Sequence, residues 1–289
     1  MEALVLLMSS SSITAILCTI ILWWLWKNGY LAALIPSSKG PGGPGKSLPI
    51  PPLQKSGNPW NVYFVTSEAN VTTYQGKLRI SYKAGEFGQT SGGGIHANPF
   101  NSLPAESCVF SYKVYIPPNM DYVKGGKLCG LCFGKGERDC SSGGEWSNTG
   151  GSYRLTFDGN GALHPYLYLP FGSPEKAYDV QGPLFKKQAK KTPRTGIRLW
   201  EADSPLKLRK GQWNSISMKM SLNTPGQANG FLSATVNGVT KELSGMRWRD
   251  AATTKINMVV IVSFYGGGDS SYDAPRNGYV LFDDFRFST

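Results

Sequence analysis

The chain has 289 residues and a formal net charge of +11, from 30 Lys and Arg against 19 Asp and Glu. Its 35 glycines, 19 prolines and 12% aromatic residues, with few long helical periods, exclude a helical bundle and fit one large all-β domain rich in turns. Only two histidines are present, which disfavours a Ser-His-Asp triad and any multi-histidine metal centre.

The first stretch, residues 1–35, reads as a membrane anchor. Ala3 to Trp26 carries no charge; as a helix it reaches about 36 Å at ~1.5 Å per residue, enough to cross a ~30 Å hydrocarbon core. Trp23, Trp24 and Trp26, followed by Lys27, match an interfacial belt with a snorkelling stop. A cleaved signal peptide is the rival reading. It expects a basic n-region and a small-residue cleavage site, and this segment has no Lys or Arg before residue 27. A buried helix is the third reading. Lys27, Lys39 and Lys46 all follow the span, so the positive-inside rule favours a cytosolic C-terminal domain on a single-pass membrane protein.

Residues 36–58 are Pro/Gly-rich and read as a linker, because such a composition cannot bury a core. From residue 59 to 289 the pattern is β throughout. Predicted strands cover residues 77–82, 108–116, 127–133, 152–157, 163–169, 215–222, 230–236, 256–264 and 279–287, separated by turns carrying Gly, Pro or Asn. About ten strands without βαβ alternation predict a two-sheet β-jelly-roll sandwich with a concave cleft.

Cys129 and Cys132 form a C-x-x-C inside one predicted strand. Residues three apart in a strand point to opposite faces, roughly 10 Å apart, so these two are not expected to bond each other. The thiols read as buried. A disulfide such as Cys132–Cys140 stays open, and the redox compartment with it. The basic surplus attracts polyanions. Nucleic acid and acidic polysaccharide both qualify as partners, and the lack of a long Lys/Arg block, zinc-finger spacing or recognition-helix pattern disfavours nucleic acid.

Two segments carry the chemistry: Ser152-Tyr153-Arg154-Leu155 and Tyr166-Leu167-Tyr168, joined through the hairpin signal Asp158-Gly159-Asn160-Gly161. A three-residue loop, Gly159 to Gly161, sets Arg154 opposite Tyr166 and Ser152 opposite Tyr168. A two- or four-residue loop sets Arg154 opposite Pro165. In the first register a guanidinium, a hydroxyl and two phenols share one face, while Tyr153, Leu155, Leu167 and Leu169 pack behind. Such a face suits anion binding and proton transfer. An ordinary cross-strand cation–π pair is the bland alternative. His164 shares the parity of Tyr166 and is a candidate substrate-binding residue at the border of the cleft, with a satisfied surface histidine as the alternative. Asp283-Asp284 reads as structural, with calcium binding a minor alternative.

Several segments in order, Ser111-Tyr112-Lys113-Val114-Tyr115, Gly125-Gly126-Lys127-Leu128-Cys129-Gly130-Leu131, Gly151-Ser152-Tyr153-Arg154, Tyr166-Leu167-Tyr168, Leu222-Asn223-Thr224-Pro225-Gly226, Phe264-Tyr265-Gly266-Gly267-Gly268-Asp269 and Phe282-Asp283-Asp284-Phe285, make residues 75–289 resemble polysaccharide lyase family 14. These are the alginate and glucuronan lyases of large algal viruses and molluscs, with fungal relatives. The resemblance implies a jelly roll that cleaves uronic-acid polymers by β-elimination without metal or cofactor. It places catalytic roles on Lys127, Arg154, Tyr166 and Tyr168, with Ser152 orienting substrate. One departure is Cys129, where family members often carry proline. The viral members suggest an enzyme held on a virion internal membrane or a host membrane, acting in cell-wall degradation. Three alternatives stand beside this expectation. One is a non-catalytic carbohydrate-binding jelly-roll protein; another is a structural virion component. A glycoside hydrolase is disfavoured, because the proposed central strands lack a pair of carboxylates.

Overall fold

The structure is a computed structural model, and it describes residues 46–48, 59–190 and 195–289. The strands in chain order are β1 (Lys46–Leu48), β2 (Val62–Thr66), β3 (Val71–Tyr74), β4 (Lys77–Tyr82), β5 (Gly93–Ala97), β6 (Ser107–Ile116), β7 (Gly125–Gly134), β8 (Gly150–Asp158) and β9 (Leu163–Tyr168). Two short helices follow, α1 (Pro174–Asp179) and α2 (Pro183–Gln188). The chain then continues through β10 (Ala189–Lys190), β11 (Ile197–Leu199), β12 (Gln212–Ser221), β13 (Gly230–Val236), β14 (Val239–Met246), β15 (Lys255–Tyr265) and β16 (Gly278–Ser288).

These strands form two eight-stranded antiparallel sheets. The first runs β14-β13-β12-β6-β16-β4-β3, with β1 added on β16; the second runs β10-β11-β9-β8-β7-β15-β5-β2. The result is an all-β two-sheet sandwich, consistent with a jelly roll.

The first sheet follows the period of two that its sequence shows. Along β6 every second residue, Cys108, Phe110, Tyr112, Val114 and Ile116, is buried, and the residues between them are only partly so. The second sheet departs from this alternation. In β8, Gly150 to Phe157 are all buried, because loops cover its outer face while its inner face packs on the first sheet. The shared core holds Phe110, Tyr112, Phe282 and Phe285 from one sheet and Tyr153, Leu155, Leu167 and Ile261 from the other. Full burial of each such apolar side chain contributes ~1.5–3 kcal/mol. Tyr153 adds a polar tie between the sheets, its hydroxyl donating to the Ser233 carbonyl at 2.9 Å.

Several strands lie outside the expected set. β2, β3, β10, β11 and β14 are short or largely exposed, and β5, Gly-Gly-Ile-His-Ala, lacks the branched and aromatic residues that mark a strand. β1 falls within the segment expected to be linker and pairs antiparallel with Phe285–Phe287 of β16. The apolar span 3–26, with the rest of 1–45 and 49–58, lies outside the described residues. Among the described residues no helix is long and apolar enough to cross a membrane.

Cys129 faces the main core and Cys132 the outer face, so the two do not pair. Cys132 is instead bonded to Cys140, while Cys108 and Cys129 are buried free thiols.

Candidate active site

The β8–β9 hairpin turns through Gly159–Gly161. The Asp158 amide donates to the Ala162 carbonyl at 3.0 Å, and the Asp158 carboxylate accepts from the amides of Asn160 and Ala162. Gly161 sits at φ +79°, in the left-handed region glycine reaches at little cost. This turn fixes the register: Arg154 lies opposite Tyr166, and Ser152 opposite Tyr168. On the other side of β8, Gly130 of β7 lies opposite Arg154 and Lys127 opposite Thr156, with an irregularity between them. Lys127, Arg154, Tyr166 and Tyr168 therefore share the outer face of the second sheet. A Cβ on Gly130 would stand 2.4 Å from the Tyr153 carbonyl and 2.7 Å from Arg154 Cγ. Glycine at this position gives the arginine room beside β7.

Arg154 is 3% exposed, yet it forms no ion pair with a carboxylate among the described residues, and its Nε is buried without a partner. Among the described residues its polar side-chain contact runs from Nη2 to Cys140 Sγ at 3.7 Å. Burial lowers its pKa to about 10, a fall opposed by the neighbouring phenols of Tyr168 and Tyr166; the guanidinium stays charged at neutral pH. A buried, unpaired cation of this kind is a site for an anion.

Lys127 Nζ stands 5.0 Å from the Tyr166 ring centre and 5.6 Å from that of Phe264. Burial, then the charges of Arg154 and Arg198, lower its pKa to about 7. A large fraction is therefore the neutral amine near neutral pH, free to accept a proton.

The two phenols touch, Oη to Oη, at 3.3 Å. Each also accepts a backbone amide at 2.7 Å: Tyr166 from Gly196, Tyr168 from Gly144. They differ in access. Tyr168 is 1% exposed beneath Trp146, whose ring lies 5.0 Å away, and burial raises its pKa. Tyr166 stands nearer the open side, under Lys127.

Ser152 and His164 sit differently from these four. Ser152 is fully buried, and its hydroxyl donates to the Ser141 carbonyl at 2.6 Å, so it holds the loop after Cys140 against the sheet. His164 lies at the hairpin end, 1% exposed, with Nε2 3.3 Å from Asp158 and Nδ1 without a partner.

Two further side chains belong to this face and had no signal in the sequence. Arg198 of β11 lies opposite Tyr166 and pairs with Glu201 at 3.2 Å. His96 of β5 stacks on Phe64, ring centres 4.0 Å apart; burial and then Arg154 drop its pKa to about 3, which keeps it neutral. Among the described residues no three His, Cys, Asp or Glu side chains converge as metal ligands.

The family model "Polysaccharide lyase 14" matches residues 71–285. Exolysin of Paramecium bursaria Chlorella virus 1 is 26% identical over 202 residues, which is 64% of this chain. The chain spans only 30% of the length of that relative. Among solved structures, the PL-14 alginate lyase of Aplysia kurodai aligns over 86% of this chain and 100% of its own, with 24% identity and a TM-score of 0.73. The alginate lyase vAL-1 from a Chlorella virus aligns over 84% of this chain and 98% of its own, with 24% identity and a TM-score of 0.68. At these identities the two structures establish a shared fold.

Proposed function

The chain belongs to polysaccharide lyase family 14, and from that membership and the geometry of its outer-face cluster we propose that it cleaves an acidic, uronate-containing polysaccharide by β-elimination. The observation that carries this reading is the buried Arg154, unpaired with any described carboxylate and flanked by Lys127 and Tyr166. The names of the relatives, two alginate lyases and a viral exolysin, agree with it.

The reaction assigns one task to each group. Arg154 binds and neutralises the C6 carboxylate, which makes the C5 proton acidic. Neutral Lys127 takes that proton. The C5–H electron pair becomes the C4=C5 bond, and the C4–O4 bond breaks. Tyr166 gives its proton to the departing O4, and the Gly196 amide steadies the phenolate left behind. Tyr168, deeper and held by Gly144, supports Tyr166 through their shared contact. We further propose that residues 3–26 hold the enzyme on a membrane, that of a virion or of the host, and that its task is cell-wall degradation.

The test uses the full chain in non-ionic detergent with alginate and with glucuronan, following the ultraviolet absorbance of the unsaturated product. Absorbance should rise, and Lys127→Ala and Tyr166→Phe should abolish the rise. Retained binding without any product would replace the lyase with a carbohydrate-binding protein of the same fold.

A further inference from the structure

The outer face of the first sheet carries a second cluster, one that the proposed reaction does not use. Strand register aligns Trp213 of β12, Tyr115 of β6, Leu281 of β16, Arg79 of β4 and Thr72 of β3 in one row across five neighbouring strands. At ~4.8 Å between strands the row is ~19 Å long, room for several pyranose rings end to end. Tyr74 and Tyr279 flank its arginine. The Arg79 guanidinium carbon lies 4.8 Å from the Tyr279 ring centre and 5.8 Å from that of Tyr74. At the other end the Tyr115 and Trp213 rings lie 5.7 Å apart.

Three observations set this strip apart from an ordinary sheet surface. Trp213 is 38% exposed and Tyr74 44%, and among the described residues Val239 is the only other large apolar side chain so exposed. Arg79 forms no ion pair among the described residues, and its Nε is buried without a partner. Both nearby carboxylates are already neutralised, Asp283 by Lys77 and Asp284 by Lys113 and Arg286 at 3.1 Å each. On the outward positions of β4, β6 and β16 the cations are Lys77, Arg79, Lys113 and Arg286, against those two carboxylates. Beside Arg79 a cavity of about 320 Å³ opens, with Asn70, Ser81, Lys83 and Asn277 in its walls.

Partly exposed rings around a guanidinium with no ion pair among the described residues recognise one class of ligand well. The apolar face of a pyranose stacks on Tyr or Trp, and a ring carboxylate takes the planar fork of Arg. We propose that this strip is a second, non-catalytic binding site for acidic polysaccharide. The proposal rests on the reading of the substrate as a polyuronate. The strip and the catalytic cluster occupy opposite outer faces of the sandwich, so the strip holds the enzyme on a polymer while the cluster works on another segment. Such tethering raises the local concentration of cleavable chain without a new catalytic contact.

The test is affinity electrophoresis of the full chain in non-ionic detergent, through native gels containing alginate or glucuronan, with dextran gels as the uncharged control. Acidic gels should retard the wild type. Arg79→Ala and Trp213→Ala should each weaken the apparent affinity at least threefold, with Arg79→Lys intermediate. Product formation from a tetrauronate should stay within twofold of wild type in all three. Unchanged melting temperatures show that the variants fold, and Trp213, at the far end of the row, gives an independent probe should the Arg79 variant unfold. Equal retardation of wild type and strip variants, with retardation lost only in Lys127→Ala or Arg154→Ala, would overturn the strip and leave the lyase standing. No retardation of wild type in either acidic gel overturns it as well. Retardation that depends on Arg79, without product from any polyuronate, would uphold the strip and overturn the lyase.

Discussion

Lys127 is built at a cost to stability, and that cost can be measured. Its pKa falls from 10.5 to about 7 on folding, chiefly through burial. At ~1.36 kcal/mol per pKa unit this opposes folding by ~4–5 kcal/mol wherever the lysine is protonated in both states. Because the folded pKa lies below the unfolded one, the unfolded chain binds more protons between pH 7 and 10.5. The penalty is therefore full below about pH 7, shrinks as pH rises through that window, and vanishes above it. Lys127→Met keeps an unbranched side chain, one heavy atom shorter, and removes the charge. It forfeits a cation–π contact with Tyr166 worth ~0.5–2 kcal/mol. The net expectation at pH 7 is a gain of ~2–4 kcal/mol, or a melting temperature higher by roughly 4–16 °C. At pH 9.5 the titration leaves a gain of no more than ~1–1.5 kcal/mol. Differential scanning calorimetry of both proteins at the two pH values reads this directly, and the variant should form no unsaturated product. A variant less stable than wild type at pH 7, or a gain that does not shrink at pH 9.5, would refute the assignment of Lys127 as a desolvated amine.

Further consequences can be checked with the same protein. Activity should climb with pH through about 7 as Lys127 loses its proton, and Arg198→Gln should move that rise to higher pH, because Arg198 is one of the two cations holding the lysine's pKa down; pH profiles of kcat/KM read both. Gly130→Ala should cost ~1–3 kcal/mol of stability, since its new methyl would meet Arg154 Cγ at 2.7 Å and the Tyr153 carbonyl at 2.4 Å. Displacing the arginine should also lower kcat/KM by about 100-fold, as measured on alginate or glucuronan. Opening the Cys132–Cys140 bond, which closes a loop of 8 in sequence separation, should cost about 2.5 kcal/mol by loop entropy. Because the loop beyond Cys140 carries the Gly144 amide to Tyr168 and the Ser141 carbonyl to Ser152, Cys140→Ser should also lower kcat more than it raises KM.

Much of this architecture is legible in the chain, for identifiable reasons. β4 and β13 run from Lys77 to Tyr82 and from Gly230 to Val236, as their alternation predicts, because the first sheet is packed on one face and wetted on the other. The β8–β9 register is legible because Asp158-Gly159-Asn160-Gly161 encodes a short turn whose length fixes which side chains meet. β5 is not legible. Its glycines give no apolar period, and its place is set by pairing with β15 and β2. That hides His96, which reaches the site face only through this pairing. Arg198 is hidden similarly, on a strand of three residues. The Cys132–Cys140 bond could only be left open, because the loop between the two cysteines has no period from which to read their approach.

The least legible part of the site is what tunes its tyrosines. Tyr166 and Tyr168 stand two residues apart on one strand and look equivalent in sequence. The fold separates them by burying one beneath Trp146 and leaving the other beside Lys127. Both phenol oxygens accept backbone amides, from Gly144 and Gly196, and a backbone amide leaves no mark in the residue pattern. The Gly144 amide comes from the loop after Cys140, which lies on the outer face of the second sheet and takes the Ser152 hydroxyl on its Ser141 carbonyl. That cover fits the continuous burial of β8, where one-sided packing would have produced alternation. An outer face left open to water would keep Lys127 near its ordinary pKa and Arg154 hydrated. Covering that face is therefore the step that turns a basic, tyrosine-bearing sheet surface into a candidate site for proton transfer.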